Sequence, residues 1–280
     1  VRGIVQMMGA TVMFVCMNAT AKVLSASLPA VEIVWARSAG HLVFIVALLG
    51  PRHGFWRLFE TNDLRLQIGR SVLQVSSQML FFTAIGHVQL ADATTVSFTA
   101  PLIVAALAGP LLGERVGPVH WAAIGAGFLG ALIVIRPGGR MNPSLLLILG
   151  SSVCYALYQI LTRRASAFDS PRTSATYSAL VGTILLTLLV PFHWTTPRGV
   201  APWLGLAALG VLGALGHYLV AHAFAAAAAS IISPFHYVQL LWAAVVGYVV
   251  FGDVPSVFTW LGAAVIVASG LFIAMKEGRR

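Results

Sequence analysis

Only 9% of the 280 residues are charged and 59% are hydrophobic, against about a quarter charged in an ordinary soluble domain; the composition excludes a water-soluble globular protein and specifies a membrane protein. A formal charge of +9 would suit nucleic acid, but the cations stand at the ends of apolar stretches rather than in one patch, so no nucleic-acid partner is expected. Cys16 and Cys154 both fall inside apolar stretches and read as buried free thiols without a redox role.

One helical crossing needs roughly 20 mostly apolar residues. Ten such stretches run in order at 4–26, 30–50, 66–87, 93–112, 119–136, 143–164, 173–193, 202–223, 231–251 and 257–275. Polar residues interrupt the third and the eighth. The longest gap, PRHGFWRLFETNDLR (51–65), is too short for a catalytic or ATPase module. The first stretch lacks a basic leader and is long enough to span, so it reads as a helix rather than a removable signal.

The cations set the orientation. With the N-terminus inside, Arg2, Arg52, Arg57, Arg65, Arg70, Arg115, Arg163, Arg164, Arg172, Lys276, Arg279 and Arg280 lie at cytoplasmic ends, and Lys22, Arg136, Arg140 and Arg198 lie outside; Arg37 is within the second span. The positive-inside rule therefore predicts cytoplasmic termini.

Two gaps are punctuated alike. LLGERVGPVHW (111–121) and VVFGDVPSVFTW (249–260) align at a shift of 139, which lays Gly113 over Gly252, Glu114 over Asp253 and Trp121 over Trp260. A shift of 141 lays Asn18 over Gln159 and Lys22 over Arg163. The chain reads as two five-span repeats, 1–138 and 139–280. Because five is odd, the second enters the membrane inverted, as in secondary transporters whose substrate binds near the midplane between repeats.

Ten spans in two fives, the Gly-acidic corners at Gly113–Glu114 and Gly252–Asp253, Arg37 within span two and Pro234 early in span nine resemble the drug/metabolite transporter superfamily, EamA type, over essentially the whole chain. Within it the chain is most similar to the YddG-type bacterial aromatic amino-acid exporters. The resemblance implies an all-α, basket-like integral membrane fold of ten transmembrane helices in the bacterial cytoplasmic (inner) membrane. It implies export of small metabolites by alternating access, with aromatic and other neutral amino acids as substrate; other metabolites, drugs and nucleotide sugars are the alternative. Thr95 stands where Pro234 stands in the second half, and Pro101 comes six residues later, so no equivalent hinge is expected in span four.

Polar residues inside spans are costly and turn inward or mark a pathway. Asn18 and Gln159 are register mates, as are Gln78 and His217; Gln74 shares a face with Gln78. Tyr155 and Tyr158 add phenols in span six, Thr95 and Phe98 lie in span four, and Ser233 and Tyr237 in span nine. Each alone reads equally as an interhelical hydrogen bond or aromatic packing. Together they suggest a lining of rings, amides and hydroxyls for a small neutral or zwitterionic solute.

Structural or gating roles are assigned to Arg37 with Glu32 as an ion pair, to Glu114 and Asp253 as helix-end carboxylates, and to Pro234. No cofactor or metal is expected. His217 and His222, five residues apart, splay by about 140° on a helix, and neither H-E-x-x-H nor G-x-S-x-G occurs, which disfavours an intramembrane enzyme. No carboxylate stands at midplane depth, so transport without obligatory proton coupling is expected. The partners are a small molecule and lipid, with a monomer favoured over a dimer; small residues such as Ala122, Ala126, Gly130, Gly262 and Gly270 suit close helix packing.

Overall fold

A computed structural model describes residues 2–113, 117–136, 141–226 and 229–277. Among them every regular element is helical. The order is α1 (Arg2–Leu24), α2 (Ala30–His53), a 3-10 turn (Trp56–Leu58), α3 (Leu64–Ile85), α4 (Leu90–Ser97), α5 (Ala100–Leu112), α6 (Pro118–Ile135), α7 (Ser144–Ala165), α8 (Pro171–His193), α9 (Val200–Ala226), α10 (Ala229–His236), α11 (Val238–Phe251) and α12 (Val257–Glu277).

All ten expected spans are helical, and nine stretches among the described residues are long and apolar enough to cross a membrane. The stretch that falls short is α3, which carries Arg65, Gln67, Arg70, Gln74 and Gln78. Those groups are not distributed evenly around the helix. Gln67, Arg70, Ser71 and Gln74 are buried, whereas Leu64, Ile68 and Val72 are exposed. A helix with its polar stripe against protein and its apolar stripe outward has the arrangement that hydrocarbon requires.

Spans four and nine are each broken, contrary to the single helices expected. α4 stops at Ser97 and α5 begins at Ala100, with Pro101 in its first turn. Pro101 has no N–H to offer the Ser97 carbonyl. Around the break the Thr94, Thr95 and Ser97 hydroxyls donate to the carbonyls of Leu90, Ala91 and Ala93. The other break is at Tyr237, whose N–H reaches back to the Pro234 carbonyl at 3.2 Å. Span four therefore does contain a hinge, three residues beyond Thr95. Phe98 and Tyr237, 139 residues apart, stand at the two breaks and pack on each other with ring centroids 4.9 Å apart.

The two corners share one backbone geometry. Gly113 ends α5 at φ 73° and Gly252 ends α11 at φ 69°, a left-handed cap that glycine adopts without strain. Glu114 lies outside the described residues. Asp253 receives a hydrogen bond from Lys22 Nζ at 2.7 Å, and Lys22 also sits 4.5 Å over the Phe251 ring. This joins the end of α1 to the α11–α12 corner.

Packing pairs α1 with α9, α3 with α7, α2 with α8 and α9, α3 with α8, and α6 with α12. At the α2–α9 crossing two backbones touch: a Cβ on Gly210 would stand 2.5 Å from the Gly40 Cα. At α6–α12 a Cβ on Gly130 would stand 2.9 Å from the Gly262 carbonyl oxygen. Small residues allow this approach, so helices gain van der Waals contact where lipid offers no hydrophobic driving force.

Gly210→Leu is accordingly expected to force α2 and α9 apart and to cost about 1–3 kcal/mol or more, seen as a lower thermal midpoint in detergent. Gly69→Ala, with nothing within 4 Å of its added Cβ, is the matched control and should leave the midpoint unchanged or raise it. Equal behaviour of the two variants would show that the glycine contact does not hold the helices together.

Candidate functional site: a cavity at the helix breaks

A cavity of about 1080 Å³ opens where the two breaks meet. Helical periodicity explains its walls. From α7 come Ser151, Tyr155, Gln159 and Arg163, four residues apart on one face; from α3 come Gln74, Ser77, Gln78 and Phe81. Phe14, Met17 and Asn18 of α1, Arg37 of α2 and His217 of α9 close one side. Phe98, His236, Tyr237 and Gln239 stand at the breaks, with Gly270 behind the Tyr237 phenol.

The expected site residues fall into three groups. Asn18, Gln74, Gln78, Phe98, Tyr155, Gln159, His217 and Tyr237 all line the cavity. Thr95 and Tyr158 do not. Thr95 is buried and donates to the Ala91 carbonyl at 2.8 Å, its position turned about 100° around the helix from the lining Thr94. Tyr158 stacks behind Tyr155 with centroids 5.6 Å apart, and its hydroxyl accepts from Arg70 Nη2 at 3.1 Å. Ser233 belongs to α10, and its side chain lies outside what is described.

The expected ion pair of Arg37 with Glu32 is not formed. Five helical positions separate them by about 140°, so they point to different neighbours. Glu32 Oε2 accepts from the Thr195 N–H at 3.1 Å. Arg37 is buried, donates from Nε to Met17 Sδ at 3.2 Å, and faces the cavity. Among the described residues no Asp or Glu lines this space, while Arg37 and Arg163 do. Pro234 lies within α10, one turn before the second break.

Other lining residues went unread. Phe14 is the register mate of Tyr155 at the shift of 141, a signal sequence inspection could have used. Ser77 and Ser151 hydrogen-bond each other's carbonyls at 2.9 and 2.8 Å, pinning α3 to α7 inside the wall. His217 stacks on His41 at 5.6 Å and meets Phe14 edge-on at 5.1 Å. The Oε1 atoms of Gln74 and Gln78 are buried and accept nothing from described residues. The site thus offers rings, the guanidiniums of Arg37 and Arg163, and amide acceptors.

A polar network fixes α3 beneath this wall. Arg70, 1% exposed, donates to Thr162, to Gln67 Oε1, to the Ser174 carbonyl and to Tyr158. Asp169, in the α7–α8 loop, accepts from the Asn62 N–H at 2.8 Å, Thr61 at 2.5 Å and Gln67 at 2.7 Å. Burial pushes the Asp169 carboxyl up, but these hydrogen bonds outweigh it and hold it below the ordinary carboxylate range.

The EamA-like transporter family matches residues 1–136 and again 142–275. A riboflavin transporter of Vibrio cholerae is 31% identical over 283 residues, spanning 100% of this chain and 95% of that protein. A pseudopaline exporter of Pseudomonas aeruginosa is 29% identical over 268 residues, 94% of this chain and 93% of that one. An S-adenosylmethionine uptake transporter of Rickettsia prowazekii is 29% identical over 189 residues, 66% of this chain and 63% of its own length. A solved chain described only as "Crystal structure of protein" superposes with a TM-score of 0.68 at 18% identity, covering 97% of this chain and 96% of that one, which shows the fold.

The Asp169 network carries a pH signature. Its folded pKa is depressed, so the stability it contributes is present above the ordinary carboxylate range and is lost as pH falls through the folded pKa. Asp169→Asn is expected to lower the thermal midpoint at pH 7 and to flatten its decline on acidification. An unchanged acid limb would show that Asp169 contributes nothing to it.

Proposed function

Because the chain belongs to the EamA-like transporter family, and is thus a membrane transporter of small molecules, we propose that it carries a flat heteroaromatic metabolite of flavin size, neutral or anionic, by alternating access. The carrying observation is the cavity lining: Phe14, Phe98, Tyr155, His217 and Tyr237 supply rings, Asn18, Gln74, Gln78 and Gln159 supply amides, Arg37 supplies a buried guanidinium, and none of the described lining residues is a carboxylate. A flat ring system stacks between such aromatics, and its carbonyls and ring N–H groups meet Arg37 and the free Gln74 and Gln78 acceptors. A cationic solute meets no counter-charge among the described lining residues.

The amino-acid substrate gives way on size. Ligand pockets for drug-sized molecules run about 300–1,000 Å³, and this cavity reaches that upper bound. Similarity to riboflavin transporters over nearly the full chain favours a flavin over a single amino acid.

We read the chain as ten crossings in two inverted repeats, 1–138 and 139–280, in the bacterial inner membrane with both termini cytoplasmic. Several observations support this. The breaks at Phe98 and Tyr237 obey the 139 shift, both corners end in left-handed glycines, and the α1–α9 and α2–α9 contacts have α7–α3 and α8–α3 as counterparts. The cavity extends to His120, Arg163 and Ala274. Its lining omits Lys22, Asp253 and Asp92, which hold the opposite end through the Lys22–Asp253 pair and the 2.6 Å Thr259–Asp92 hydrogen bond. We read that end as the closed gate, and Lys22, Asp253 and Arg37 as gating or substrate-orienting residues. With no carboxylate among the described lining residues, we read the carrier as a facilitator or exchanger.

In proteoliposomes, riboflavin is expected to equilibrate without a pH gradient and to show counterflow, with unlabelled tryptophan failing to compete. Gln78→Leu and His217→Leu should each reduce transport by about tenfold or more while the protein remains folded. Tryptophan transport with no riboflavin transport, or normal rates in both variants, would refute the substrate assignment. For the inverted orientation, a chain lacking Cys16 and Cys154 is given Ser256→Cys or Gly117→Cys; the first should label from outside cells with an impermeant maleimide and the second should not. The reverse pattern would sink the two-repeat topology.

A further inference from the structure

A second hollow, about 580 Å³, lies away from the transport cavity and is lined by Arg52, Gly54, Arg57, Leu58, Ser170 and Arg172. Its three guanidiniums come from separate elements: the last turn of α2, the 3-10 turn and the first turn of α8. None of them hydrogen-bonds or ion-pairs through its side chain with a described residue. None of the described lining residues is a carboxylate. Asp169, beside Ser170, is committed to Thr61, Asn62 and Gln67.

The hollow is built rather than draped. Leu58 is 1% exposed, the Tyr177 hydroxyl donates to the Phe59 carbonyl at 3.0 Å, and Asn62 Nδ2 donates to the Phe168 carbonyl at 2.6 Å. Arg57 lies along Gly54, where an added Cβ would stand 3.7 Å from the arginine Cδ. Three like charges held around one concavity repel each other and are relieved by an anion. Guanidiniums match phosphate oxygens in two-point hydrogen bonds.

The flank of the hollow is apolar. Trp56 is 78% exposed and Phe55 47% exposed, their rings packed edge-on at 5.3 Å just beyond the end of α2; indoles in such places favour a membrane interface. We propose that this hollow binds the phosphate of an anionic phospholipid, with Arg52, Arg57 and Arg172 on the headgroup and Phe55 and Trp56 against the upper acyl chains. Free phosphate shares the headgroup's chemistry but has no use for the aromatic flank. The bound lipid bridges the end of α2 to the start of α8. This site is independent of the substrate assignment.

The test titrates the purified chain in neutral detergent with phosphatidylglycerol, with phosphatidylcholine of the same acyl chains, or with inorganic phosphate. Bound lipid is counted by native mass spectrometry and unfolding is followed by temperature. Phosphatidylglycerol should bind and raise the midpoint, whereas phosphatidylcholine and phosphate should not. The combined change R52Q/R57Q/R172Q should weaken phosphatidylglycerol binding by about a hundredfold, and the charge-matched change R2Q/R65Q/R198Q should leave it intact. The single variant Arg57→Gln, at an exposed position, should show a smaller loss and keeps the test readable if the triple variant unfolds. Equal binding of phosphatidylcholine, equal loss in the charge-matched variant, or an effect of inorganic phosphate matching that of the lipid would each overturn the proposal.

Discussion

An unpaired polar group in hydrocarbon costs several kcal/mol, and that single cost accounts for the placement of nearly every polar side chain inside these helices. Hydroxyls return to their own helix, as Thr94, Thr95 and Ser97 do. Others are shared between helices, as in the Ser77–Ser151 pair. Arg70, with no carboxylate bonded to it, is enclosed by Thr162, Gln67, Ser174 and Tyr158. Some of what is left unsatisfied, the Oε1 atoms of Gln74 and Gln78 among it, faces the cavity.

Arg37 is the clearest instance. Among the described residues it donates only to the Met17 sulfur at 3.2 Å, a weak acceptor, although the group is 6% exposed. Gly213 makes room for it, since an added Cβ there would stand 3.7 Å from its Nε. A buried guanidinium left this way stabilises the fold poorly. It is suited to a site whose ligand supplies the missing acceptors, and the same holds for the bare Oε1 atoms of Gln74 and Gln78.

The helix breaks extend this logic to the backbone. Interrupting a membrane helix frees carbonyls that lipid cannot satisfy, so irregular backbone is tolerated only inside protein or along a cavity. Both breaks obey that condition, and Phe98 and Tyr237 meet there. Each break also leaves a short segment, α4 or α10, hinged against a longer one. α6 and α12, by contrast, are in direct backbone contact through Gly130 and Gly262.

Much of this was legible from residue order alone, because apolar run length, the placement of cations and the repeated Gly-acidic corner are local properties. They marked the all-helical, membrane-spanning character of the chain, singled out Asn18, Gln78, Gln159 and His217, which line one cavity, and pointed to the transporter family. Three things depended on tertiary structure. The hinge in span four was unreadable at Thr95 because Pro101 acts on the Ser97 carbonyl, beyond the aligned position. The Arg37–Glu32 pair looked plausible in sequence, but helical phase turns the two residues apart, and only the neighbours at Met17 and Thr195 reveal where each goes. The size of the cavity is set by how far apart packed helices stand, a distance fixed by pairs such as Gly40–Gly210 that are remote in the chain and adjacent only once it has folded.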